Sequence, residues 1–217
     1  MMIIRKKYEG QLQDLHELVI DIGVKSYNQV DNAVDTLNDD SPDRAREIIE
    51  IDQEINLLER RINDDAISLI MKQQPVATDL RVIISSIKIA NDLERIADNA
   101  SNIAEVRKRV RISDEYLLMK LRTMEKLALL MLADVHHASE NDDVVLLNEI
   151  IMRDSDIDEL FRDIINSSKL IDNDPFVSNQ ANLVAKYLER IGDHICNIAE
   201  SVYYIKTGTR FEMQEEI

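Results

Sequence analysis

Thirteen consecutive residues of this chain return 95 positions later with nine identities. Leu93-Glu94-Arg95-Ile96-Ala97-Asp98-Asn99-Ala100-Ser101-Asn102-Ile103-Ala104-Glu105 is matched by Leu188-Glu189-Arg190-Ile191-Gly192-Asp193-His194-Ile195-Cys196-Asn197-Ile198-Ala199-Glu200. Such a repeat sets the architecture before any local reading, because both copies must fold alike. The likeness extends upstream. Asp52-Gln53-Glu54-Ile55-Asn56-Leu57-Leu58 aligns with Asp154-Ser155-Asp156-Ile157-Asp158-Glu159-Leu160 at an offset of 102. The first copy therefore holds about seven extra residues between its paired segments, Gln74-Pro75 among them.

The chain is 45% hydrophobic but only 4% aromatic, with four glycines and three prolines, a composition of long helices rather than sheets. The few breakers fall where helices should end. Asp39-Asp40-Ser41-Pro42 combines a stop with a capping serine and a first-turn proline. Gln73-Gln74-Pro75 closes a second helix, since the residue before proline is pushed out of the α region. Ser113-Asp114-Glu115 offers a cap with an acidic first turn, Asn141-Asp142-Asp143 breaks again, and Asp174-Pro175 repeats the cap-then-proline signal. The expected helices run over roughly 8–38, 42–72, 76–110, 114–140, 143–171 and 175–207. The expected fold is all-α, with six long antiparallel helices in two pseudo-symmetric three-helix bundles, residues 1–111 and 112–217.

A net charge of −16 argues against nucleic acid and against direct adhesion to an anionic membrane. It favours metal cations and basic partner surfaces. Cys196 stands alone and cannot form an internal disulfide, which fits a reducing cytoplasm. Residues 1–7 do not read as a signal peptide, and no run approaches the roughly 20 apolar residues of a membrane span.

At 100° per residue, Leu93, Ala97, Ala100 and Ala104 share one side of the third helix, flanked by Ile96 and Ile103. Glu94, Asp98, Asn102 and Glu105 form a stripe on roughly the opposite side. Leu188, Gly192, Ile195 and Ala199 oppose Glu189, Asp193, Asn197 and Glu200 in the same way. On the second helices, Asp52/Asn56 and Asp154/Asp158 are also one turn apart. Among 42 acids in 217 residues, any one such pair can be simply a solvated helix face. Like charges four apart, however, destabilise a helix by a few tenths of a kcal/mol unless something neutralises them. Here both copies keep that cost. Two adjacent helices offering acids at one-turn spacing can close an oxygen-ligand set around a hard cation, which makes Fe(III), Mn, Mg or Ca the expected metals, with Zn able to substitute. Lys186, three residues before Glu189, is a competing partner for that acid.

Other signals carry less. His136-His137 reads as ordinary helix histidine, and Cys196 as a packing residue standing where the first copy has Ser101. Met119, Met124 and Met131 read as core fillers. No Glu-x-x-His pair, HExxH, GxxxxGK[ST] or GxSxG occurs. A metal-dependent hydrolase would need a general base beyond the ligands themselves, and none is evident. A metal-free helical scaffold with solvated acidic faces is the other alternative.

Taken together, the Leu-Glu-Arg-Ile-x-Asp motifs at 93–98 and 188–193, the acidic second-helix segments, and Gln74-Pro75-Val76-Ala77-x-Asp79-Leu80-Arg81 resemble the PhoU family of phosphate-signalling regulators. The similarity spans nearly the whole chain. It implies a metal cluster in each bundle, held by Asp52, Glu94 and Asp98 with Asn56 in the first, and by Asp154, Asp158, Glu189 and Asp193 in the second. Asn56 departs from the pattern, since the second copy has Asp158 there, and an amide brings no charge. Asn102 and Asn197 are further ligand or hydrogen-bond candidates. The resemblance also implies a homodimeric, non-enzymatic adaptor. Its partners would be a phosphate ABC transporter, or a sodium–phosphate cotransporter, and a sensor histidine kinase, and it would reach the membrane only through them.

Overall fold

The computed structural model describes residues 2–168 and 174–212, with side chains from residue 6 onward. Among the described residues, seven α-helices follow in order: α1 (Met2–Asp35), α2 (Asp43–Gln73), α3 (Ala77–Arg109), α4 (Glu115–Asn141), α5 (Val144–Met152), α6 (Asp154–Ser167) and α7 (Pro175–Thr207). α1 to α3 form one three-helix bundle, and α4, α5/α6 and α7 form the other.

The caps explain the ends. Asp114 Oδ1 accepts from Leu117 N at 2.9 Å, Asp143 Oδ1 from Leu146 N at 3.0 Å, and Asp174 Oδ1 from Phe176 N at 2.8 Å. Each satisfies an otherwise orphaned first-turn amide. Gln74 closes α2 in the left-handed region, at φ 48°, one residue before Pro75.

Three expectations need correction. α1 begins at Met2 instead of near residue 8, and Thr36–Asn38 form a tighter 3-10 turn after it. The fifth helix, expected over 143–171, is two helices broken at Arg153. The Arg153 amide is shared between the carbonyls of Glu149 and Ile150, and its guanidinium is drawn to Asp134 at 2.6 Å, so the chain turns before α6 restarts. Residues 169–173, the end of that predicted helix, lie outside the described residues. Met124 and Met131 are buried as expected, but Met119 is 53% exposed, because it lies about 140° round α4 from Met124.

The apolar stripes fill the core. Leu93, Ile96, Ala97, Ala100, Ile103 and Ala104 are buried, as are Leu188, Gly192, Ile195 and Ala199 in the second copy. Among the described residues, the most extensive helix–helix packing is that of α3 on α7. The repeated helices therefore lie side by side at the centre, with α2 covering α3 in one bundle and α5 and α6 covering α7 in the other. Small residues let these helices approach closely. At Gly192 a Cβ would come within 2.8 Å of Ile157 Cδ1.

Candidate metal centre

The predicted acids gather into two groups, one per bundle, each between a second and a third helix. In the first, Asp52 of α2 faces Asp98 of α3, and Glu94 feels Asp98, Glu59 and Asp52. In the second, Asp154 of α6 feels Asp193, Asp158 and Glu189, and Asp193 feels Glu189. The buried apolar stripe fixes which way these helices turn, so the stripe on their other side is set at the seam between neighbouring helices. Asp52, Glu94, Asp98, Asp154, Asp158 and Glu189 are half-buried there instead of fully solvated, while Asp193 is exposed at the rim.

That placement has an electrostatic consequence. Burial first, then the neighbouring carboxylate, pushes the carboxyls of Asp52, Glu94, Asp154 and Asp193 above their ordinary range. Each cluster thus stores unfavourable negative charge. Glu94 Oε2 is buried without a hydrogen-bond partner, although Arg95 Nε stands 3.4 Å away. An orphaned carboxylate oxygen of this kind suits a cation.

Basic side chains already lean on both groups. Arg95 approaches Glu94 and lies 3.0 Å from Asp98. Lys186 is 2.5 Å from Glu189, the competition expected from sequence, and Arg162 is 3.4 Å from Asp158. Among the described residues, no three His, Cys, Asp or Glu side chains are gathered tightly enough to hold a metal ion as they stand. The donor chemistry fits a hard cation, then, while the acids are spread along their helices.

Asn56 donates to Asp52 Oδ2 at 3.0 Å, so its amide supports the aspartate where the second bundle has the acid Asp158. Asn102 donates to the backbone of Asp98. Asn197 donates across the molecule to Asp92 Oδ1 at 3.3 Å, beside His194 Nδ1 at 2.9 Å.

The structure adds residues that sequence reasoning missed. Ser101 hydrogen-bonds to Asp52, and Cys196, at the same place in the repeat, hydrogen-bonds to Asp154. Gln29 of α1 reaches both Asp52, at 3.4 Å, and Ser101, at 2.7 Å. Cys196 is therefore more than packing. The signal was available: both copies place a short hydroxyl or thiol donor at that position.

A duplicated three-helix unit, carrying one half-buried carboxylate group per copy, defines a two-bundle helical scaffold with paired acidic sites. Comparison with known proteins places it further. The PhoU domain model matches twice, over residues 19–106 and 121–202. The chain is 32% identical over 217 residues to a Clostridium acetobutylicum protein named phosphate-specific transport system accessory protein PhoU homolog, covering 97% of this chain and 99% of that one. It superimposes on the crystal structure of the phosphate transport system regulatory protein PhoU from Streptococcus pneumoniae with a TM-score of 0.86 at 25% identity, covering 95% of this chain and 100% of that one. Crystalline PhoU from Pseudomonas aeruginosa gives 0.85 at 29%, with 93% and 100% covered. The chain belongs to the PhoU family.

Proposed function

We propose that this chain is a non-enzymatic regulator of phosphate uptake, an adaptor that links a phosphate transporter to a sensor histidine kinase. The observation that carries the reading is whole-length similarity to relatives named as accessory proteins of phosphate-specific transport. Two rigid bundles packed side by side present long faces for docking. The surface is strongly acidic, which steers the chain toward basic patches on a partner, so association should weaken as salt rises. No helix among the described residues is long and apolar enough to cross a membrane, so partners would bring the chain to the cytoplasmic face of one. Deleting the gene should raise phosphate-starvation gene expression in phosphate-rich medium. Unchanged expression, with neither transporter nor kinase co-purifying, would sink the adaptor reading.

The two carboxylate groups are proposed as metal sites: Asp52, Glu94 and Asp98 with Asn56 as a neutral neighbour, and Asp154, Asp158, Glu189 and Asp193. The raised carboxyls and the orphaned Glu94 oxygen support this. A bound cation would neutralise clustered charge and tie the second helix to the third. Arg95 and Lys186 would have to yield their contacts to it. Metal content of a Glu189→Ala/Asp193→Ala variant should fall while helicity stays intact. Unchanged metal content refutes the assignment.

A further inference from the structure

The two bundles also meet along a second seam, where α1 runs antiparallel to α4. Its register is constant: His16 pairs with Glu140 at 3.4 Å at one end, and Asp35 with Arg122 at 3.9 Å at the other. Between the bundles lies a cleft of about 580 Å³, lined by Val19 and Val24 of α1, Leu132 and His136 of α4, Leu93 of α3 and Ile198 of α7. Glu125 of α4 sits in the seam, 5% exposed, hydrogen-bonded to Asp31 of α1. Ionised carboxylates are acceptors only, so this contact needs a proton on one of the two.

We propose that the proton shared by Glu125 and Asp31 latches α1 to α4, so that its loss loosens the two bundles beside their apolar cleft. Three observations support the latch. The carboxyl lies inside the inter-bundle contact, so ionising it puts an unpaired charge between packed helices. Burial, then the negative Asp31 and Asp35, push Glu125 up to about 7, with Lys126 opposing, so the proton leaves near neutral pH. At the far end of the seam, His16 meets Glu140 at 3.4 Å, and the antiparallel register this contact fixes sets Glu125 opposite Asp31.

Several other charged groups on or facing α4 are already paired. Arg122 is with Asp35, Arg153 at the α5–α6 break with Asp134, Asp163 of α6 with Lys120, and Lys206 of α7 with Asp142. The sign follows from the raised carboxyl. Its stabilising contribution is fully present below the ordinary Glu value of 4.5 and is lost as pH rises through about 7.

Hydrogen exchange on the full chain, corrected for its intrinsic pH dependence, reads the seam. Between about pH 6 and about pH 8.5, wild-type protection should fall in α1 and α4 while α2 and α6 hold steady. Glu125→Gln keeps the shape and cannot ionise, so its seam should stay protected at both ends of that range. Asp31→Asn, whose amide can donate to an ionised Glu125, should also lose the step. Wild-type protection that is flat with pH, or a Glu125→Gln protein as pH-sensitive as wild type, overturns the proposal. If Glu125→Gln does not fold, an unchanged step in Asp31→Asn overturns it alone.

Discussion

Cys196 hydrogen-bonds to Asp154 at the place in the second bundle where Ser101 meets Asp52 in the first. The pairing is conserved in geometry between the copies while the donor atom changes from oxygen to sulfur. Burial, then the charge of Asp154, pushes the Cys196 thiol up to about 12. A thiol so protonated is a poor nucleophile. The folded chain should react only slowly with a thiol reagent at pH about 8, with full reactivity returning in denaturant. Fast modification of the native protein would show that the thiol is not held this way.

Asp92 provides a second cross-connection. It accepts from His194 and from Asn197, joining α3 of one bundle to α7 of the other. Asp92→Ala leaves the half-buried His194 without its acceptor and returns the exposed Asn197 amide to water. It should lower stability by about 1–3 kcal/mol in urea unfolding. A variant as stable as wild type would mean that water replaces the carboxylate at no cost.

Metal removal and pH test the same stored charge. A cation that binds only the folded chain, at about 100 times its Kd, adds about 2.7 kcal/mol of stability. A strong chelator should therefore lower the melting temperature of the metal-loaded protein. In the chelated chain, Asp52, Glu94, Asp154 and Asp193 titrate above their unfolded values. Their contribution to stability is full below the ordinary Asp and Glu range and is lost as pH rises through their raised values. Melting of the chelated protein should thus drop from mildly acid toward neutral pH, and added metal should flatten that drop.

Packing at the centre is expected to dominate stability. Leu188 is fully buried where α7 is repeated from α3. Leu188→Ala should cost about 2–5 kcal/mol, through lost burial and the cavity left behind. Denaturant midpoints would check this, and a loss under 1 kcal/mol would mean that the α3–α7 seam repacks freely.

The repeat and its 3.6-residue apolar stripe made most of the fold legible. They located the buried face of α3 and α7, and that face in turn placed the acids on the seam with α2 and α6. Capping signals marked the ends well where an aspartate side chain does the capping, as at Asp114 and Asp174. They failed at Arg153. The break there depends on a guanidinium drawn toward Asp134, 19 residues earlier in the chain, and no local pattern announces such a contact. The same limit hid Gln29, which reaches Asp52 from a first helix that shares no sequence with its counterpart. Glu125 was equally silent, since one acid among 42 looks solvated until α1 is laid against it.

The packing of α3 against α7 sets like against like. The contact is nearly self-complementary, the kind of face that two copies of one half-length chain would present to each other. Tandem joining makes that encounter intramolecular, at an effective concentration far above any a cell supplies for free halves. A half cut away from its twin would carry an uncovered greasy ridge in search of the same surface, and would recover the original geometry by dimerising.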